Sequence, residues 1–536
     1  MAVQSFPTRQ YRYSRPPSDA LSAQPPLDLQ AGGTYRFLMG RDAQPSLIPP
    51  ADGLNLLHDP MAQLVLFGGQ TPPVTVRTLL AFLDRFNSDT ARAVPQQRSF
   101  VVADGGQIPW TRETARLARS FRLAVTRQQA GSAAIDLLIS TGTDLDSDSV
   151  FLQVAGWDPV RNAFQFYDRR AGAWIWAGSS WDALTPDTRG KGPFDSHVNG
   201  TLNMKELKQP WVNWHSQAAQ ILDTALAPDD PLQNDPIWTK KSPAEDFERQ
   251  VARPGIQRWN NARFARSIQD GVLKQPAEFM RQVLGTTTVN LTSSPTSNAG
   301  LAAAASVPLP LTFFLNSEAL LDLIDLEPAI QPLSVSSAIY QIMLQRYDVA
   351  LTDGNFRFPG DTNFVFVVPE PAFEDIVVLD RLLQLKILSP KLAASLLMVD
   401  FSNSVFSPRR AALLSHVPDS ASVHNPSDFQ NRLVGNIRNA ATRGSPEAEF
   451  LANWNLDDNV WKKTFEQRIE QFFQALTPRL ADADSFAPIF ELAESRRRQF
   501  RKRPLAEFRL TTPITNIPED AALLQFATDG SVQSKN

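Results

Sequence analysis

Between Val150 and Ala177, three short runs of aromatic and branched residues are separated by turn residues. The runs are Val150–Trp157, Ala163–Asp168 and Ala173–Ala177; the breaks hold Asp158-Pro159-Val160-Arg161-Asn162 and Arg170-Ala171-Gly172. Branched and aromatic side chains fit a pleated surface, whereas Pro, Asn and Gly interrupt it. The spacing predicts an antiparallel meander. Side chains alternate along a strand, so Trp174 and Trp176 share one face of it.

The flanks differ in character. Residues 1–60 contain Pro16-Pro17, Pro25-Pro26 and Pro49-Pro50 and read as an extended arm, because proline lacks an amide donor and restrains its predecessor. Val74–Phe86 has helical spacing, Phe100–Ala103 reads as a strand, and Thr111–Thr126 reads as a helix opened by Thr111. Ala134–Ser140 fits either strand or helix. From residue 216 the pattern is mainly helical, over 216–226, 244–252, 256–270, 276–283, 334–348, 372–387, 390–398, 407–416, 426–440 and 459–475. A further strand is expected at 364–368, and residues 286–309 resemble a linker or active loop.

The expected class is therefore α+β: a small antiparallel sheet within a mixed N-terminal domain, and a larger, mainly helical C-terminal domain. The boundaries read 1–60 for the arm, 61–200 for the mixed domain, 201–515 for the helical domain and 516–536 for a flexible tail.

Composition narrows the chemistry. Cysteine is absent, which removes disulfides, thiolate nucleophiles, iron–sulfur clusters and cysteine zinc sites. With 52 basic and 56 acidic residues, no global field attracts nucleic acid or anionic lipid. No apolar stretch approaches the length of a membrane span. Nor does the start, Met1-Ala-Val-Gln-Ser-Phe-Pro, have the basic-then-apolar layout of a secretory signal. A soluble, cytoplasmic protein is expected, with a small-molecule ligand, neither membrane nor nucleic acid as partner, and room for homo-oligomers.

Six of the 11 tryptophans and two of the five histidines fall between Trp157 and His215. Aromatic walls with a few polar groups are the usual make-up of a ligand pocket. Trp174, Trp176, Trp211 and Trp214 are the expected walls, with Arg189, Lys191 and Asn199 as polar contacts. Imidazole titrates near neutrality and binds metals, so His197 and His215 are the expected catalytic pair, acting as general acid and base. Alternatively they ligate a transition metal, Fe or Zn, with Asp195 and Glu206. The blander reading packs both histidines into an aromatic core. On the functional reading the chain is an enzyme acting on a small apolar or aromatic substrate, with a metal-assisted oxidoreductase preferred. The rival is a non-enzymatic scaffold or assembly protein that docks through the proline-rich arm and the basic segment 494–503.

Other motifs fall short of a signature. Arg189-Gly-Lys-Gly192 offers amides and cations to an anion, yet lacks the phosphate-loop spacing. Asp144-Leu-Asp-Ser-Asp148 begins like a calcium loop, but Ser149 stands where glycine is needed and Ala155 where glutamate is needed. Asp457-Asp458 suits a helix start, Trp461 replacing the third acid of a magnesium motif. Arg496–Arg503 carries six positive charges and reads as a solvated helix face or a cap on an acidic surface. Trp259 and Arg263 share a helix face and suggest a cation–π contact. His58, His416 and His424 are each available to partner a serine, but no nucleophile motif accompanies them.

Overall fold

The computed structural model describes residues 28–85, 96–104, 120–128, 134–170, 172–195, 197–202, 229–242, 244–285, 289–290, 305–315, 318–353, 356–360, 370–371, 373–403, 406–501 and 513–535. They form two compact units: the described residues up to 202 with 229–259 make the first, and those from 260 onward make the second. Both helices and a large sheet are present, so the class is α+β.

The first unit is organised by an eight-stranded sheet. Its strands are β1 (Thr34–Arg36), β2 (Ser46–Leu47), β3 (Gln96–Asp104), β4 (Ser120–Gln128), β5 (Leu137–Thr141), β6 (Leu152–Asp158), β7 (Ala163–Arg170) and β8 (Ala173–Ser179). The order is β2-β1-β8-β7-β6-β5-β4-β3. Strands β3 to β8 pair antiparallel in sequence order, whereas β1 joins β8 in parallel, Tyr35 facing Ile175. The expected meander is thus the β6–β7–β8 part of a larger sheet.

Two sequence expectations change here. Thr111–Thr126 reads as a helix, but residues 120–126 lie in β4, paired with β3 throughout and with β5 from Leu123 onward, with Leu123 and Val125 turned into the core. Ladder pairing to two neighbours overrides local spacing. The segment before residue 60 contributes β1 and β2 to the sheet and a helix at Pro50–Leu56.

Alternation splits the sheet into two faces. On one, Leu123, Val125, Ile139, Val154, Tyr167 and Trp176 pack against a layer that includes a π-helix at Met61–Leu66 and a helix at Val76–Asp84. Thr75 caps the second of these, its hydroxyl accepting from the Thr78 N–H. On the other face stand Phe100, Trp157, Phe164 and Phe166. A β-bulge between Phe166 and Tyr167 accommodates an extra residue on β8, so that Tyr167 pairs with Trp176 and Phe166 with Gly178.

The second unit is mainly helical, and its helices start by a shared device. Ser389-Pro390, Ser407-Pro408 and Ser445-Pro446 each place a capping hydroxyl before a proline at the first helical position. Expected helices at 390–398, 426–440 and 459–475 are found as Pro390–Leu397, Pro426–Ala440 and Trp461–Leu476. The helix expected over 256–270 ends at Ser267, and a hairpin turns at Asp270-Gly271, both with positive φ. The C-terminal residues are packed: Leu524–Phe526 pairs with Val532–Ser534, and Phe526 is buried. The helix expected at 216–226 and the strand expected at 364–368 lie outside the described residues.

Candidate functional site

The tryptophan–histidine window does not form one chamber among its described residues. Trp174 and Trp176 project from β8 on the face that carries Tyr167, and both are buried. The Trp174 indole donates to the Pro73 carbonyl and the Trp176 indole to Gln165 Oε1, each at 2.9 Å. His197 lies on the opposite face, its ring 4.9 Å from that of Phe166. Its Nδ1 stands 2.7 Å from the Thr201 carbonyl oxygen. A carbonyl only accepts, so Nδ1 carries the hydrogen. His197 is buried, and the loop around it is fastened to the sheet by Ser180, whose hydroxyl donates to the Gly200 carbonyl at 2.6 Å. Gly200 has φ +74° and abuts the Ser180 backbone, which excludes a Cβ there.

The polar residues of this loop brace it. Arg189 donates to the Leu184 carbonyl, and Lys191 Nζ donates to the Asp187 carbonyl at 2.8 Å. The Asn199 carbonyl accepts from the Trp259 indole at 2.7 Å. Asp195 ends a short 3-10 turn, Gly192–Asp195. His215, Trp211, Trp214 and Glu206 lie outside the described residues. Among the described residues no group of three or more His, Asp or Glu side chains converges to hold a metal ion.

A different constellation gathers at the β6–β7 turn. The Asp158 carboxylate is fully buried and accepts four hydrogen bonds. Oδ1 takes the N–H groups of Val160 and Arg161 at 2.9 Å, which closes the turn. Oδ2 takes the His58 N–H and the Gln165 amide at 3.1 Å. The same Oδ2 lies 3.8 Å from His58 Nδ1 and 3.9 Å from Arg161 Nε. His58 Nδ1 is buried without a hydrogen-bond partner, while 33% of the side chain remains exposed, so solvent meets the ring away from Nδ1. Arg161 is half-exposed and donates through Nε to the Leu56 carbonyl at 2.8 Å. Trp181, partly exposed, donates its indole N–H to the Arg161 carbonyl at 3.1 Å. Exposed Val160 stands at the tip of the turn. An imidazole backed by a buried carboxylate, next to a guanidinium and an indole, has the parts of a general-base site for an anionic ligand.

Beside it, Asp59 is also fully buried. Its Oδ2 lies 2.5 Å from the Tyr167 hydroxyl, and its Oδ1 accepts the N–H groups of Met61 and Ala62, capping the π-helix. Burial raises its carboxyl from 3.8 to about 7, against the opposing effect of the hydrogen bonds and with a further push from Asp158. Burial and the same carboxylate push the Tyr167 phenol well above its ordinary value. Gly156 on β6 makes the approach possible, since a Cβ there would lie 2.4 Å from Asp59 Oδ1. Sequence reasoning noted His58 alone and missed Asp59, Asp158, Arg161, Gln165 and Tyr167. The available signal was His58-Asp59-Pro60, an acid set before proline as at a helix start.

The remaining motifs have structural partners. Asp146 pairs with Arg77 at 2.7 Å, as suits an exposed turn. Asp458 pairs with Lys391 at 2.6 Å, and Asp457 accepts from the Asn459 N–H at 2.8 Å. Arg263 lies over Phe279 at 4.2 Å. His416 Nε2 faces Glu447 Oε1 at 2.9 Å, and His424 packs against Gly271. The basic segment is not a solvated face at its start: Glu494 to Gln499 are all buried. No helix among the described residues is long and apolar enough to cross a membrane. No family model, no curated protein and no solved structure matches this chain.

Proposed function

We propose that this chain is an enzyme acting on a small substrate that joins an apolar or aromatic body to an anionic group, with His58 as its general base. The observation that carries the reading is the buried Asp158 carboxylate shared by a partly exposed imidazole and a guanidinium, at 3.8 and 3.9 Å. A carboxylate beside Nδ1 favours the tautomer that leaves Nε2 free to take a proton from water or substrate. The gap exceeds hydrogen-bond length, and catalytic contacts in ligand-free enzymes commonly tighten only on binding. Arg161 supplies a fork for a carboxylate or phosphate, and Trp181 and Val160 supply apolar surface beside it.

In this reading the activated water attacks an ester, the bond to the leaving group breaks, and the proton held by His58 passes to the departing oxygen. No metal is required for that step. A metal-assisted oxidation would have to recruit His215 and Glu206 with His197 and Asp195, and those first two residues lie outside the described structure.

The test uses p-nitrophenyl carboxylic and phosphate esters with the full-length protein. His58→Gln is expected to lower turnover by roughly two to four orders of magnitude, the usual weight of a general base. Arg161→Ala is expected to raise KM for anionic esters with little change in kcat. In parallel, benzoate and phenyl phosphate should shift the His58 imidazole resonances. Unchanged turnover in His58→Gln, or imidazole signals indifferent to both ligands, would refute the proposal.

A further inference from the structure

The segment Leu57–Pro60 links the helix Pro50–Leu56 to the π-helix Met61–Leu66 and is fastened to the sheet by two carboxylates pointing in opposite senses. Asp158 reaches out from β6 and accepts the His58 N–H at 3.1 Å. Asp59 reaches in from the segment, meets Tyr167 of β7 at 2.5 Å, and caps the π-helix with its other oxygen. Gly156 provides the space in which the second contact is made. His58 therefore sits on a clasp whose two pins are adjacent acids.

We infer that this clasp is a proton-controlled latch on the His58 site, closed while Asp59 keeps its proton and loosened when the proton is lost. As a device regulating catalysis it rests on the proposed role of His58. In the closed form the Tyr167 hydroxyl donates to Oδ2, and Oδ1 accepts the two amides. Loss of the proton leaves a charge in a fully buried position, with Asp158 as a like charge nearby. Beyond the Tyr167 hydroxyl and the Met61 and Ala62 amides, the surrounding elements offer little relief. The π-helix has no titratable side chain, and Pro50–Leu56 carries only exposed Asp52. From β7 come Tyr167 and Arg169, the latter donating to the Val150 carbonyl, and β8 presents the neutral Trp174 and Trp176. His58 and Arg161 flank Asp158 rather than Asp59. Burial sets the Asp59 carboxyl at about 7, so the transition falls near neutral pH.

Hydrogen–deuterium exchange on the full chain between pH 5.5 and 8.5, corrected for intrinsic exchange rates, reads the latch through the Met61 and Ala62 amides. Protection of residues 57–66 is expected to fall about tenfold as pH rises through neutrality in the wild type. Asp59→Asn, which stays neutral, should show no step. Tyr167→Phe removes a bond that favours the ionised acid, and should move the step to higher pH. A wild-type profile without a step, a step that survives Asp59→Asn, or one that Tyr167→Phe leaves in place would overturn the latch. In His58→Gln the exchange step is expected to persist while turnover is lost. Exchange thus reads the latch and turnover reads the site, and the two can fail separately.

Discussion

Replacing Gly156 by alanine tests the clasp through its sign. In an ordinary strand, alanine for glycine stabilises by about 0.4–1 kcal/mol, because the unfolded chain loses freedom. At Gly156 the new Cβ would stand 2.4 Å from Asp59 Oδ1, 2.9 Å from Cγ and 3.0 Å from Cβ of the same residue. Reaching ordinary contact at 3.4 Å needs a retreat of roughly 1 Å. The Met61 and Ala62 amides now lie 3.0 and 3.2 Å from Oδ1, so such a retreat breaks one or both bonds and strains the Tyr167 contact. Overpacking costs about 1–3 kcal/mol, and each lost hydrogen bond a further 0.5–1.5 kcal/mol or so. The expected net effect is a loss of about 2–4 kcal/mol in the first unit. Urea denaturation read by exchange into β6 and β7 peptides isolates that unit from the second. In an Asp59→Ala background the Oδ1 and Cγ obstacles are gone and only the 3.0 Å approach to the Cβ of residue 59 remains, so Gly156→Ala should cost about 1 kcal/mol or less, and the cycle gives the coupling directly. A Gly156→Ala protein as stable as the wild type, or more so, would refute the account.

Three further outcomes follow from the buried polar groups. The folded state holds the Asp59 proton where the unfolded chain has released it, so that contribution to stability is complete below pH 3.8 and gone once pH has risen through about 7. At about 1.4 kcal/mol per pH unit this is at most roughly 4 kcal/mol of stability; denaturation curves across the window should show the decline in the wild type and a weaker one in Asp59→Asn, and parallel curves would refute it. Glu494→Ala leaves the buried Arg497 without its 2.5 Å partner and should cost about 3–5 kcal/mol in the second unit, most of it recovered in Glu494→Leu with Arg497→Leu; an unchanged denaturation midpoint in Glu494→Ala would contradict this. His197→Ala removes the bond to the Thr201 carbonyl and the contact with Phe166, and should lower stability by about 2–4 kcal/mol in chemical denaturation; a loss under about 0.5 kcal/mol would mean that the residue is not a packed core histidine.

The sheet was most legible where one physical pattern decided the outcome. Strands β6, β7 and β8 follow from runs of aromatic and branched residues between turn residues, and the helix at Pro426–Ala440 follows from its periodic apolar face. Legibility failed where a distant partner decided. Leu123 and Val125 stand two apart, the spacing of one strand face, but the stretch is too short to outweigh the helical reading of 111–126, and pairing with β3 and β5 makes them strand residues. Of the helix Ala483–Arg501 only the basic end read as helical, because Pro488 interrupts the pattern before it, although Phe486 bonds to the Asp482 carbonyl and the helix continues. The tryptophan–histidine window illustrates the same limit. Proximity in sequence suggested a single pocket, but strand alternation puts Trp174 and Trp176 on one face and the partner of His197, Phe166, on the other. The acids at 59 and 158 lie about a hundred positions apart, and nothing local announces that one clasp uses both.

The arginine run shows why a charge count misleads when the helix beneath it is not considered. Successive helical residues point about 100° apart, so three in a row span about 200°, and a helix covered on more than one side cannot send all three to solvent. Here each is met by a different partner. Arg496 donates to the Phe313 carbonyl and lies between the Phe313 and Phe526 rings, at 4.6 and 5.6 Å. Arg497 pairs with Glu494, and Arg498 gathers the carbonyls of Glu519, Ala521 and Ala522. Burial lowers the Arg496 guanidinium to about 10, a measure of how poorly one carbonyl and two rings replace water. Carbonyls of the C-terminal segment can solvate Arg498 only while that segment stays folded against the helix. For residues 496–498 to dock on RNA, lipid or a protein, Phe526 and the 519–522 backbone would first have to leave, uncovering apolar core as well as charge. The run is therefore better placed to hold the C-terminal hairpin than to recruit a partner. A docking role for it would have to appear as a salt-dependent binding event that also exposes the hairpin to protease.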